Sequence, residues 1–319
     1  MLPCIECEGA PRDLGQDQGR ALAREIRRIA GRAPSGRLAR GLAALRPTRG
    51  AARDLERYFP HLAERAAGLA DGAGVERAGL LARCVPPAWS AIPATRFGVG
   101  MGVRAEPGGA GPCLAASLSL PRESGAVLRR SRPQGGRASL ELGLAWWVGA
   151  FAGVNSGGLA ALALAAEPAP LASRDGAVAA PPCRAPAALF VTQCLERFER
   201  VGAALEWCLH RPAAGPAALL FADAQGDLAG LAVQQAGRQV LGDEDGLLVL
   251  GAPEPRRARL EKEARLPGRL SLPGIGALLA PAVSSTAADE LALILLPTER
   301  RLGLLGREGG ENASNWQAV

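Results

Sequence analysis

The chain has 319 residues, 48% of them hydrophobic and only 4% aromatic, with a formal net charge of +6. Such a length can bury a large core, and so apolar a composition excludes a disordered chain. All but one of the 37 basic residues are arginines. They are scattered among acidic residues rather than clustered with aromatic ones, so no nucleic-acid partner is expected.

The seven cysteines are widely spaced and odd in number. A chain of this size does not need disulfides, so we predict reduced thiols and a cytoplasmic protein. Cys4 and Cys7 have the spacing of a redox or metal motif, but no second cysteine pair or nearby histidine completes a zinc site. Neither a metal nor a cofactor is predicted. No signal peptide and no membrane-spanning run is evident, so no membrane partner is expected.

The N-terminal region combines one strand with several helices. Residues 2–8 are predicted as a strand, and apolar residues at helical spacing predict an amphipathic helix over 13–30. A second helical region follows the break at 34–36. A third covers 51–69 and is closed by the glycines of 71–74, which suit a helix C-terminus.

Residues 85–111 are rich in proline and glycine and predict irregular chain with some short strands. Three strands are expected next, over 113–120, 125–130 and 138–144. The run 153–162 (GVNSGGLAAL) then predicts a hairpin, because Asn and Gly adopt positive φ at little cost.

The C-terminal half begins with a proline- and alanine-rich loop over 168–186, followed by two helices over 187–209 that meet near Arg200. The last predicted elements are an arginine-rich helix over 254–265, strands over 217–221, 228–234, 239–241, 247–250, 290–296 and 301–305, and a frayed tail over 306–319. This order of elements suggests two sheets between layers of helices.

Cys113 is the leading candidate for chemistry, because it opens an alternating strand directly after a glycine-rich run. A thiol in this place becomes an N-terminal nucleophile if the chain cleaves itself before Cys113. The alternative is that Cys113 is a small buried hydrophobic residue, the usual role of a free cysteine. His61 and His210 lie in helical segments and are interpreted as structural.

Three runs resemble the acyl-CoA:6-aminopenicillanic acid acyltransferase-like family of N-terminal nucleophile (Ntn) hydrolases: 9–19 (GAPRDLGQDQG), 59–75 (FPHLAERAAGLADGAGV) and 153–160 (GVNSGGLA). The resemblance implies one α+β domain over 1–319, built as a four-layer αββα sandwich of two antiparallel sheets. It also implies self-cleavage into fragments 1–112 and 113–319, and an acyl-thioester on Cys113. The substrate would be a small amide, peptide or acyl-thioester. The freed α-amino group, with a reference pKa of about 7.7–8.0, can serve as the base.

Other residues are assigned roles around Cys113. Arg130 and Asn155 are candidate catalytic residues, and Ser117, Ser131 and Trp146 are candidate substrate-binding residues. Three of these residues also have a structural interpretation. Arg130 can be a solvated strand residue, Asn155 a turn former and Ser117 an ordinary strand residue.

The motifs of this family are incomplete in the present chain. Pro112 and Leu114 flank Cys113, where a hydroxyl residue usually follows the nucleophile. The family's Asn-x-Asp segment falls at 128–132, which contains neither Asn nor Asp, and its Thr-Asn-His segment falls near 250–253, which has no polar side chain. The alternative is therefore a catalytically degenerate protein that serves as a binding or assembly module. Whether the chain forms a homo-oligomer stays open.

Overall fold

A computed structural model describes most of the chain. The described residues are 2–31, 47–78, 80, 98–104, 111–121, 125–164, 183, 185–213, 216–234, 237–251, 254–266, 269–279, 288–305 and 314–319. The helices among them are α1 (Pro11–Ala21), α2 (Ala23–Gly31), α3 (Pro47–Tyr58), α4 (Pro60–Ala73), α5 (Leu189–Arg197), α6 (Val201–His210), α7 (Glu254–Ala264) and α8 (Leu272–Leu279). None of these helices is long and apolar enough to cross a membrane.

The strands form two sheets. They are β1 (Cys4–Gly9), β2 (Val99–Val103), β3 (Cys113–Pro121), β4 (Ala126–Pro133), β5 (Ser139–Leu144), β6 (Ala152–Asn155), β7 (Leu159–Leu164), β8 (Ala217–Asp223), β9 (Leu228–Val233), β10 (Arg238–Leu241), β11 (Leu247–Leu250), β12 (Ala288–Leu296), β13 (Arg301–Leu305) and β14 (Ser314–Ala318). Sheet A has the order β1-β4-β5-β6-β7-β8-β9-β10, and sheet B has the order β11-β2-β3-β12-β13-β14.

One strand pair departs from the predicted antiparallel sheets. β1 runs parallel to β4, with Cys7 opposite Ser131, while the other described pairs of strands are antiparallel. The physical reason is the long connection, because helices and two strands of sheet B separate β1 from β4 in the chain. A connection of this length allows a parallel pair, which a short hairpin does not.

The two sheets pack face to face. A Cβ placed on Gly100 of β2 would lie 2.7 Å from side-chain carbons of both Leu164 and Leu220 in sheet A, so the sheets approach closely where glycine leaves room. Helices α1, α5 and α6 lie on the outer face of sheet A, and α7 and α8 lie on the outer face of sheet B. The predicted four-layer αββα sandwich is confirmed.

Helices α1 and α4 are in backbone contact. A Cβ on Gly15 would lie 1.9 Å from the carbonyl oxygen of Arg65, and a Cβ on Gly68 would lie 1.9 Å from that of Arg12. Two chains can approach this closely only where a glycine carries no side chain. The contact places Arg65 of α4 over the edge of sheet A.

Most predicted helices occur, with different boundaries. The helix predicted over 13–30 is divided at Leu22 into α1 and α2, and the one predicted over 51–69 is divided before Pro60, since proline favours the first turn of a new helix. The two helices predicted to meet near Arg200 are confirmed as α5 and α6. The predicted helix beyond 34–36 lies largely outside the described residues, as do much of the loop 168–186 and residues 105–110.

Two predictions near the C-terminus are wrong. The tail is predicted to fray, but residues Ser314–Ala318 pair with β13 as the edge strand β14. No element is predicted between the helix over 254–265 and the strand over 290–296, but α8 lies there, with Ile275 and Leu279 buried against sheet B. Pairing with β13 in the first case, and burial against sheet B in the second, stabilises a segment whose local pattern is too short to be distinctive.

Candidate active site at the start of strand β3

Cys113 is the first residue of β3, an interior strand of sheet B between β2 and β12. It lies opposite Val103 of β2, and only 3% of its surface is exposed. The predicted nucleophile is therefore paired with β2, and the pairing of β3 with β12 begins at the next residue, Leu114.

The side chain of Cys113 lies on the outer face of sheet B. It belongs to an apolar cluster that includes Val103, Ile275 and Leu296, between sheet B and helices α7 and α8. The next residue, Leu114, belongs to the large core between the sheets. This alternation follows from the period of a strand, in which successive side chains point to opposite faces. The thiol thus faces the helix layer.

Thr298 lies beside the segment that precedes Cys113. A Cβ placed on Gly111 would lie 2.8 Å from the Thr298 hydroxyl oxygen, and Thr298 is exposed. The register explains this proximity, since Leu295 of β12 pairs with Leu114 and the two strands run antiparallel. Sequence reasoning missed Thr298, because only this pairing brings it beside Gly111.

The turn that contains Asn155 lies at the same end of the sandwich. A Cβ on Gly158 would lie 3.3 Å from the carbonyl oxygen of Pro297, which directly precedes Thr298. Gly158 has a φ of 84°, which glycine adopts readily. The turn between β6 and β7 therefore approaches the beginning of β3 from sheet A.

The side chain of Asn155 is fully engaged with backbone groups. Its Nδ2 donates to the carbonyl oxygens of Leu195 (2.7 Å) and Phe198 (2.6 Å), and its Oδ1 accepts from the amides of Gly157 (3.0 Å) and Leu159 (2.9 Å). An amide group offers two donors and two acceptor sites, and all four are used here. Asn155 joins the β6–β7 turn to the end of α5.

Arg130 lies elsewhere, on β4, next to the edge strand β1 of sheet A. Its guanidinium group donates to Glu6 (3.1 Å) on β1, and to the Gln317 side chain (2.8 Å) and the Ala318 carbonyl (3.3 Å) on β14. These bonds connect the edge strands of the two sheets. Arg130 is not brought together with Cys113, which is on an interior strand.

The three predicted substrate-binding residues are separated. Ser117 is buried on β3, on the same strand face as Cys113 four residues earlier. Ser131 is completely buried on β4 and accepts a hydrogen bond from Nη2 of Arg65 (2.8 Å). Trp146 belongs to the large core cluster. Of the three, only Ser117 shares the surroundings of Cys113.

Sequence reasoning missed a second polar site, on the outer face of sheet A. There Arg129 of β4 pairs with Glu141 of β5, and both side chains are completely buried. Arg65 reaches Glu196 of α5 with an Nη1–Oε1 distance of 3.4 Å. The strands predicted over 125–130 and 138–144 contained a signal for the first pair, because neighbouring antiparallel strands can bring opposite charges into cross-strand register.

The two carboxyl groups of this site differ in protonation behaviour. Burial raises the pKa of Glu196 to about 7, against the attraction of Arg65. Burial also opposes ionisation of Glu141, but the charges of Arg129 and Arg65 outweigh it and hold the pKa of Glu141 below its ordinary value. Glu141 therefore stays ionised and is the counterion of Arg129 and Arg65.

Comparisons with known proteins reveal similarities to solved structures. The N-acylethanolamine-hydrolyzing acid amidase ortholog of Caenorhabditis elegans is 11% identical, covering 63% of this chain and 93% of that one, with a TM-score of 0.46. A mutant of the conjugated bile acid hydrolase of Clostridium perfringens is 11% identical over 70% and 92%, with a TM-score of 0.44. Penicillin V acylase from Agrobacterium tumefaciens is 12% identical over 69% and 86%, with a TM-score of 0.46.

No protein-family model and no curated protein matches the sequence. The three structural similarities concern the course of the chain, and they assign neither a substrate nor an active residue to it. The finer resemblance to the acyl-CoA:6-aminopenicillanic acid acyltransferase-like family stays a prediction from the sequence motifs.

Proposed function

We propose that this protein is a cysteine amidohydrolase or acyltransferase of the Ntn type, whose nucleophile is released by cleavage of the bond between Pro112 and Cys113. The observation that carries the proposal is the position of Cys113 as the first residue of an interior strand of an αββα sandwich. Cleavage there leaves the thiol and a new α-amino group on one rigidly held residue.

The cleavage step is an acyl shift followed by hydrolysis. The Cys113 sulfur attacks the carbonyl carbon of Pro112, a C–S bond forms, and the C–N peptide bond breaks as its nitrogen takes up a proton. Water then cleaves the thioester, which frees the Pro112 carboxylate and restores the Cys113 thiol. The exposed Thr298 hydroxyl beside Gly111 is a suitable hydrogen-bonding group for this segment.

Turnover uses the same thiol on an external substrate. The freed α-amino group, with a reference pKa of about 7.7–8.0, accepts the thiol proton near neutral pH. The thiolate attacks an amide or thioester carbonyl, and the amine or thiol departs with the proton. Water or a second amine then releases the acyl group. In this scheme Asn155 is a positioning residue that holds the β6–β7 turn against Pro297. Arg130, Ser117, Ser131 and Trp146 take no chemical step in it.

The two fragments are expected to stay together after cleavage. Fragment 1–112 contributes β2 to the middle of sheet B, where it pairs with β3 and β11, and β1 to sheet A. Only denaturation separates pieces that share two sheets. Cleavage is therefore visible in the denatured mass and not in the native size.

The test is the intact mass of the full chain under denaturing conditions. We expect fragments 1–112 and 113–319 from the wild type and from Cys194→Ala, a control that alters another buried cysteine. Cys113→Ala should remain one chain. A thioester-forming acyl probe should label the 113–319 fragment of the wild type and of Cys194→Ala, and should not label Cys113→Ala. An uncut wild-type chain that takes up no probe would overturn the proposal.

A second candidate function is a non-catalytic binding or assembly module with the same fold. It is favoured by the apolar surroundings of Cys113 and by the complete engagement of Asn155 with backbone groups. This candidate predicts an uncut chain in which Cys113→Ala behaves as an ordinary core substitution, with a loss of stability of about 1 kcal/mol. The same mass measurement distinguishes the two candidates.

A further inference from the structure

A cleft lies on the outer face of sheet A, between the starts of α1 and α4 and the turn after β4. Its volume is about 200 Å³. The floor contains buried Leu14, Leu62 and Arg65, and the rim contains exposed His61 and Arg197. An apolar cavity of about 150 Å³ accommodates benzene. The space is therefore sufficient for a ligand with one small ring.

Arg65 is the unusual member of this floor. It is 1% exposed, and it uses Nη2 for Ser131 (2.8 Å) and Nη1 for a long contact with Glu196 (3.4 Å). Its Nε is buried and has no hydrogen-bond partner among the described residues. A buried charged donor without a partner costs stability, so its retention beside a cavity points to a ligand.

The surroundings specify an anion of low charge. Arg65 and Arg129 face Glu141 and Glu196 across the cluster, and the rim adds Arg197. Burial raises the pKa of Glu196 to about 7. When Glu196 is protonated, the two arginines outnumber the one remaining carboxylate, and the cluster carries a net positive charge. A ligand with one negative charge neutralises this net positive charge. A dianion meets the repulsion of Glu141 and of any ionised Glu196, which disfavours sulfate.

We infer that this cleft is a binding site for a small apolar molecule bearing one carboxylate, held by the Arg65 guanidinium with its hydrocarbon part against Leu14 and Leu62. A carboxylate matches the planar donors of arginine, whereas the ammonium group of lysine acts as a point charge. The apolar walls provide the remaining contact. This site lies on sheet A, is separate from Cys113, and does not depend on the proposed catalytic function.

Titration of the full-length protein with sodium benzoate, followed by calorimetry, tests the inference. Saturable binding of benzoate is expected, with benzamide at least about tenfold weaker because it lacks the charge, and with inorganic sulfate not competing. Benzamide binding equal to that of benzoate, sulfate competition, or no saturable benzoate binding would each overturn it.

Matched variants locate the site. Arg65→Lys should weaken benzoate binding by about tenfold or more, because an ammonium group lacks the planar donors of the guanidinium. Arg238→Lys is the control, because Arg238 is also completely buried with an Nε that lacks a partner among the described residues, but it lies on β10. His61→Trp changes only the exposed rim and should block entry, which keeps the test decisive if Arg65→Lys does not fold. Unchanged benzoate affinity in His61→Trp contradicts the inference.

Discussion

Arg129 and Glu141 lie directly opposite each other on β4 and β5 and form an ion pair that is completely removed from solvent. The Arg129 Nε donates to Oε2 of Glu141 (2.9 Å), and the Ser139 hydroxyl donates to Oε1 (2.9 Å). Arg129 also donates to Oε1 of Gln18 on α1 (2.9 Å). Such a network stabilises a fold only while every member keeps its partners.

Removing one charge from this network should strongly destabilise the fold. For Glu141→Gln we expect a loss of about 3–5 kcal/mol in the free energy of unfolding, because the Arg129 charge stays buried without its counterion. Urea denaturation measures this loss. Glu6→Gln is the control, since the Glu6–Arg130 pair is exposed and worth at most about 1 kcal/mol. Equal losses in the two variants would contradict the prediction.

The contact between α1 and α4 should not tolerate a methyl group. Gly15→Ala and Gly68→Ala each place a Cβ 1.9 Å from a backbone carbonyl oxygen, so the helices must separate and the apolar contacts beneath them are lost. We expect a lower midpoint of thermal unfolding for both. Gly202→Ala in α6 is the matched control, because nothing lies within 4 Å of its added Cβ. That variant should gain about 0.5–1 kcal/mol. A gain in all three would show that the helices do not touch.

Glu196 should make stability depend on pH. In the folded protein the pKa of Glu196 is about 7, above its ordinary value of 4.5. The contribution of Glu196 to the free energy of unfolding is therefore fully present below pH 4.5 and is lost as the pH rises through 7. The full loss is about 3 kcal/mol. Relative to the wild type, Glu196→Gln should become more stable between pH 4.5 and 8, measured by urea denaturation. The exposed Glu199→Gln should follow the wild type at every pH. Parallel curves for Glu196→Gln and the wild type would refute the shift.

Asn155 should be needed for its Nδ2 donor and not only for its Oδ1 acceptor. In Asn155→Asp one oxygen still accepts from the amides of Gly157 and Leu159, but the other faces the carbonyl oxygens of Leu195 and Phe198. Two acceptors that face each other in a buried site cannot form a hydrogen bond. We therefore expect the free energy of unfolding, measured by urea denaturation, to fall by at least about 2 kcal/mol. Gln134→Glu, on the exposed turn after β4, is the control for adding a charge. If the proposed cleavage occurs, Asn155→Asp should also slow it, since the turn supports Pro297.

Local periodicity was sufficient to predict most elements. The alternation over 113–120, the glycine turn before β7 and the two helices on either side of Arg200 depend on neighbouring residues, so their pattern is visible in the chain itself. The order of these elements also predicted two sheets between helix layers. The edge strand β14 and helix α8 could not be predicted, because they owe their stability to distant partners.

The arrangement of polar side chains required the tertiary structure. Arg129 and Arg130 are neighbours in sequence, yet the pleat buries the first against Glu141 and sends the second to the edge beside Ser314–Ala318.

The sequence by itself determined the class of fold and Cys113 as the first residue of a strand, because both depend on local pattern. Only the tertiary structure decided that Thr298 lies beside Gly111, that Asn155 is engaged with backbone groups, and that Arg65 lines a cleft. The physical reason is that these relationships depend on strand register and on close contacts between helices. Such contacts join residues far apart in the chain and leave no periodic trace in it.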